Sequence, residues 1–149
     1  MKRYMLQGII AGLVSGMVLG FFLKWIQLLT GSGVYTMLLN IDFVPGLPDR
    51  LPEWLEFALH LAVSIVLGFI YRLWINRWPH PWISGLLIGA ASSLLFFPLA
   101  MLSDRVPQVN DMTAYMYWLA GHVLYGIVLG LFGYGYVRRG SNAGAYRLR

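Results

Sequence analysis

The chain has no cysteine among its 149 residues. It can therefore carry no disulfide framework, thiolate metal site, thiol nucleophile or acyl-cysteine anchor, and its redox compartment leaves no trace in the sequence. Charge is scarce as well, at 11% of residues against 58% apolar ones, and a mean hydropathy of +0.65 excludes an ordinary soluble domain of this length. Catalytic signatures are missing too: there is no nucleophile elbow, no phosphate-cradling glycine loop between a strand and a helix, and no His-x-x-x-His pair of metal spacing. The expectation is a protein that is not an enzyme and has no metal site, with lipid chemistry through Glu56 and His60 as the one enzymatic reading left.

What the chain does have is four apolar stretches, at about residues 6–30, 55–75, 82–102 and 113–137. Each is long enough to cross a hydrocarbon core of ~30 Å as a helix at ~1.5 Å per residue. Lys2 and Arg3 before the first resemble a signal n-region. The stretch after them is too long for a signal h-region and has no small-x-small cleavage site, so it reads as an uncleaved helix. The connections Asn76–Pro81 and Ser103–Met112 are short, whereas Gly31–Glu53 is longer and apolar, with Pro45, Pro48 and Pro52 among Tyr35, Met37, Leu38, Leu39 and Phe43. That loop is expected to lie on the membrane interface or to cap the bundle. Pro98 should kink the third helix and free a carbonyl.

Charges sort by connection. Asp42, Asp49, Glu53, Glu56, Asp104 and Asp111 fall in or beside the first and third, while Lys2, Arg3, Arg72, Arg77, Arg138, Arg139, Arg147 and Arg149 fall at the two ends and the second. By the positive-inside rule both termini are then cytoplasmic. The net charge of +5 does not indicate nucleic acid, because the bases flank apolar spans and form no stripe on a polar helix; anionic lipid headgroups are the expected partner.

An internal repeat is the second signal. His60-Leu-Ala-Val-Ser-Ile-Val-Leu-Gly-Phe aligns without gaps on His122-Val-Leu-Tyr-Gly-Ile-Val-Leu-Gly-Leu, and Gly8, Gly12 and Ser15 align on Gly85, Gly89 and Ser92. The expected fold is an all-α membrane protein, a single domain over 1–149, of four transmembrane helices arranged as two tandem hairpins related about the membrane normal. Gly8, Gly12, Gly16 and Gly20 recur every four residues, and the same spacing follows each histidine as Ser64 and Gly68 and as Gly126 and Gly130. Such stripes let helix backbones approach closely and are the expected packing surfaces, within the bundle or in a homo-oligomer.

Ionisable side chains inside apolar spans carry a cost of ~2.5 to 3.5 kcal/mol at mid-membrane and so mark candidate functional positions. Lys24, Glu56, His60 and His122 form the candidate cluster, with Glu56 one turn before His60 on the same face and Lys24 continuing the glycine stripe. Acid would change the pairing among Glu56, His60 and Lys24 and loosen the first helix from the second. The alternative is structural: Lys24 and Glu56 snorkel to the headgroups, and each histidine donates to a carbonyl that fixes helix register.

Several segments resemble the YagU-like family of bacterial inner-membrane proteins: Gly12-Leu-Val-Ser with a following Lys24-Trp25, His60 with Ser64-Ile-Val, Gly85-Leu-Leu-Ile-Gly-Ala, Phe97-Pro-Leu-Ala-Met-Leu, and Gly121-His122. The layout is also similar to the YqhR-type membrane proteins of spore-forming bacteria. The resemblance implies a multi-pass protein of the bacterial inner membrane associated with survival of acid conditions. It departs from the family in its shorter first outer connection and short tails. The function so expected is acid tolerance through a histidine-centred permeation or sensing site. The alternatives are an accessory or scaffold subunit of a membrane complex and a b-type haem electron carrier ligated by His60 and His122, haem being the less favoured because no haem motif accompanies the histidines.

The absence of cysteine makes the topology directly measurable. A single cysteine replacing Asn110 should react with a membrane-impermeant maleimide in intact cells, and one replacing Asn142 should not; labelling at Asn142 would invert the assignment.

Overall fold

The computed structural model describes residues 2–42, 44, 46 and 51–145, and the side chains of 4–42, 44, 46 and 51–138 among them. Phe43, Pro45, Pro48, Asp49, Arg147 and Arg149 lie outside the described residues, as do the side chains of Lys2, Arg3 and Arg139. The described residues form six helices: α1 (Lys2–Thr30), α2 (Val34–Leu39), α3 (Glu53–Arg77), α4 (Pro81–Ser93), α5 (Phe96–Leu102) and α6 (Met112–Ala145). Among the described residues, four segments are long and apolar enough to cross a membrane: Tyr4–Thr30, Glu53–Arg77, Pro81–Leu102 and Met112–Arg138. The protein is thus an all-helical, multi-pass membrane protein whose third crossing is built from α4 and α5 together.

Within the bundle α1 lies along α3 and α4 lies along α6, and α1 also packs against α6. Large apolar side chains face outward on every crossing, among them Phe21, Leu28, Val63, Val66, Leu94 and Leu131. That is the arrangement expected of a protein whose outer solvent is hydrocarbon. The interior is filled by Trp118, Tyr71, Tyr125, Phe96 and Leu23.

The hairpins close through glycine. A Cβ on Gly12 would strike the Ser64 carbonyl oxygen, and one on Gly68 would come within 2.5 Å of the Gly12 Cα. In the second hairpin a Cβ on Gly126 would lie 2.6 Å from the Gly85 oxygen, and one on Gly89 would strike the His122 oxygen. The closest approaches of the two hairpins do not share one register: Gly8 lies against Gly68 and Gly12 against Ser64 in one, whereas Gly85 lies closest to Gly126 and Gly89 to His122 in the other. Side chains of any size would hold these backbones apart and forfeit the dispersion contacts that bind helices in lipid.

Two features decide points that the sequence left open. The apolar first connection caps the bundle: α2 is buried through Val34, Tyr35, Met37 and Leu39 and is tied down by Gln27, whose Oε1 accepts from the backbone N–H groups of Tyr35 and Thr36 at 2.9 Å each. The third crossing does not merely kink at Pro98 but breaks at Leu94 and Leu95, one turn earlier. Pro98 has no N–H to give the Leu94 carbonyl, and Phe97 N–H reaches that oxygen instead, at 3.4 Å. The Ser93 carbonyl is thereby left without a helical donor and takes a hydrogen bond from the Trp118 indole Nε1 at 3.0 Å.

Gly12→Ala and Gly126→Ala should each destabilise the protein by about 1 to 3 kcal/mol, the usual cost of forcing extra volume into a packed contact. Gly135, around which an added Cβ meets nothing within 4 Å, is the internal control. Gly135→Ala should leave thermal unfolding in detergent unchanged, and equal behaviour of all three variants would place the glycine stripes outside the packing.

Candidate functional site

α2 closes one end of the bundle, and beneath it the two hairpins diverge around a cavity of about 190 Å³. Its polar lining is Glu56, His60 and Ser64 from α3, Ser92 from α4, and His122 and Tyr125 from α6. The rim is apolar and exposed, with Leu59 and Val63 on one side and Leu95 on the other, so the cleft opens on the hydrocarbon-facing side of the bundle. Its lining goes no further down α3 and α6 than Leu67 and Tyr125. There the Tyr125 hydroxyl lies 3.3 Å from Ser64 Oγ, which itself donates to the Gly12 carbonyl at 2.7 Å.

Both histidines use one ring nitrogen on a backbone carbonyl. His60 Nε2 donates to the Gly16 oxygen at 3.2 Å, tying α3 to α1. His122 Nδ1 donates to the Trp118 oxygen at 2.8 Å, within its own helix, and the ring lies 4.5 Å from the Trp118 ring. A carbonyl only accepts, so Nδ1 of His122 carries the proton, and in the neutral ring Nε2 is left as an acceptor. That nitrogen makes no hydrogen bond to a described residue. Neither does the Glu56 carboxylate, one turn before His60, which makes no ion pair with one either.

The fourth member of the sequence-derived cluster sits elsewhere. Lys24 Nζ pairs with Glu53 at 2.6 Å, not with Glu56, and its ammonium lies 5.3 Å from the Tyr35 ring centroid. The Tyr35 hydroxyl donates to the same Glu53 oxygen at 2.9 Å. Burial first, and the Glu53 carboxylate second, hold the Tyr35 phenol well above the ordinary tyrosine range. The geometry follows from chain direction. Glu53 opens α3 and reaches over the end of α1, whereas Glu56, a turn further along, faces into the cleft. An acid-driven competition of His60 with Lys24 for Glu56 accordingly has no Lys24–Glu56 pair to start from.

Sequence reasoning missed Trp118 and Tyr125, which read as ordinary aromatic residues of an apolar helix. Trp118 stands one turn before His122, as Glu56 does before His60, and the alignment of the two histidines is the signal that could have found it. The carbonyls that these segments engage also correspond, since Gly16 and Ser93 each follow the aligned Gly12 and Gly89 by four residues. Among the described residues no three His, Cys, Asp or Glu side chains gather where they could hold a metal ion.

Comparison with known proteins finds no matching family model, no similar curated protein and no similar solved structure.

Trp118→Phe keeps an aromatic ring, though a smaller one, and removes the N–H that satisfies the Ser93 carbonyl. A buried acceptor left without its donor costs about 1 to 3 kcal/mol, and chemical unfolding in detergent should read that loss. No change would mean that the broken third crossing finds another donor.

Proposed function

We infer that this multi-pass membrane protein senses acidity at its acidic end through the cleft between its hairpins, and that it belongs with the YagU-like inner-membrane proteins it resembles. One observation carries the reading: two proton acceptors in the cleft, the Glu56 carboxylate and His122 Nε2, make no hydrogen bond to a described residue. Taking up a proton turns His122 Nε2 from acceptor into donor and charges the ring in a cleft that the Glu56 carboxylate also lines, which changes the attraction across it. A volume of about 190 Å³ has room for several water molecules to deliver that proton. With the six acids sorted to this end, the cleft would face the outside.

The geometry gives less to the other readings. The lining ends at Leu67 and Tyr125, so the cleft is blind and suits sensing better than permeation. Its volume lies below the ~300 Å³ at which small-molecule sites usually begin, so the space between the histidines is too small for a porphyrin. An accessory role accounts for the glycine packing but leaves Glu56 and His122 Nε2 without a purpose.

The test is a single cysteine at Val63 on the rim, with its labelling rate followed from about pH 7 down to about pH 4, because burial disfavours a charged imidazole. In the parent the rate should change across this interval. His122→Gln cannot titrate and should flatten the profile and lower acid survival; His60→Gln should shift the profile while also loosening α3 from α1. Identical profiles for parent and His122→Gln would sink the sensing role.

A further inference from the structure

The opposite end of the bundle contains a cation that meets no carboxylate side chain among the described residues. Arg72 lies on α3 little more than one turn from its end and is only 8% exposed. Its Nε donates to Gln7 Oε1 at 2.9 Å, and its guanidinium carbon lies 4.4 Å from the Tyr4 ring centroid and 5.6 Å from that of Tyr136. Tyr136 in turn donates to the Gln7 carbonyl at 3.0 Å, closing the cage from α6. The two terminal amino groups of Arg72 make no hydrogen bond to a described residue. No carboxylate side chain comes to them among the described residues, because Asp42, Glu53, Glu56, Asp104 and Asp111 all lie at the other end of the bundle.

Burying a charge without a counter-ion is costly, and a guanidinium held by its Nε presents its other donors as a fork suited to a phosphate. Next to the cage runs a groove of about 450 Å³ between α1 and α6, lined by Gln7 and Tyr136 themselves and by Leu6, Ile10, Leu131 and Phe132. Leu6, Ile10 and Leu131 are exposed. Polar cage and apolar groove share two residues, so one ligand with a phosphate head and a hydrocarbon tail can occupy both.

We propose that Arg72, Gln7, Tyr4 and Tyr136 form a binding site for one anionic phospholipid of the leaflet that meets the basic end, with an acyl chain in the groove between Ile10 and Leu131. An anionic headgroup fits better than a zwitterionic one, because a choline or ethanolamine cation would enter a region whose charged side chains include Arg72, Arg77 and Arg138 and no acid.

The experiment is thermal unfolding and native mass spectrometry of the full chain in neutral detergent, titrated with phosphatidylglycerol, phosphatidylcholine or inorganic phosphate. Phosphatidylglycerol should raise the midpoint and remain bound at one copy per chain, while phosphatidylcholine and phosphate do so weakly or not at all. Arg72→Gln should weaken phosphatidylglycerol by at least about tenfold, the scale of one charge-assisted hydrogen bond, and Arg72→Lys, which keeps the charge but not the fork, by less. Ile10→Trp fills the groove without touching the cage; it should also lose the bound copy, which keeps the test decisive if Arg72→Gln does not fold. Equal stabilisation by phosphatidylcholine, full stabilisation by phosphate alone, or retention of the bound copy in Ile10→Trp would each overturn the site.

Discussion

Close approach of helix backbones is the constraint on which the rest of this structure depends. Lipid offers no hydrophobic drive to pull one apolar helix onto another, so the hairpins hold together by dispersion contacts that need backbones nearly touching. Gly8, Gly12 and Gly68 provide them in the first hairpin, and Gly85, Gly89, Gly126 and Gly130 in the second. Towards α2 the packing changes character. Gly20 faces the Phe57 ring rather than a backbone, and the third crossing breaks at Leu94 and Leu95. The cleft lies on that side of the Ser64–Tyr125 contact, where α1 and α6 meet through side chains, with Gly121 against Leu19 and Leu23.

The two hairpins engage backbone carbonyls in chemically different ways. The first engages the Gly16 carbonyl with His60; the second engages the corresponding Ser93 carbonyl with Trp118, because Pro98 has stripped that oxygen of its helical donor. With the indole taking the carbonyl, His122 is released to bond within its own helix and to leave Nε2 for the cleft. Glu56 occupies the place on α3 that Trp118 occupies on α6. A carboxylate on one wall therefore stands across from an indole and an imidazole on the other, an asymmetry that a symmetric pair of hairpins would lack.

How much of this was legible in the sequence depends on the range of the forces involved. Apolar length and the four-residue recurrence of Gly8, Gly12, Gly16 and Gly20 are local properties, and each reads directly as a crossing helix with a smooth face. That His60 and His122 would line one cavity depends on helix rotation, which the alignment of the two segments constrained but did not determine. The partner of Lys24 was out of reach. Glu53 and Glu56 differ by less than one turn, and only the angle at which Pro52 delivers the chain into α3 decides which of them meets α1. The break before Pro98 was half legible: proline chemistry predicts a freed carbonyl, but the Trp118 indole that satisfies it comes from a helix more than twenty residues away.

The two ends of the bundle treat charge in opposite ways, and both depend on the membrane. At the α2 end Lys24 finds Glu53 at 2.6 Å and Arg105 lies 3.8 Å from Asp42, while Ser103 donates to that same carboxylate at 2.7 Å. These contacts knit the first and third connections into a lid, and Asp111 anchors α6 beneath it by accepting from the Ala114 N–H at 2.9 Å. Among the described residues the opposite end has no acid with which to build anything similar, and there Arg72 is held by an amide and two aromatic faces. Exposed ion pairs contribute little to stability in water, but a guanidinium near hydrocarbon cannot go unmatched. The sorted charges therefore serve more than orientation. One end closes on itself as a lid, and at the other the site proposed around Arg72 would take its counter-charge from a lipid anion.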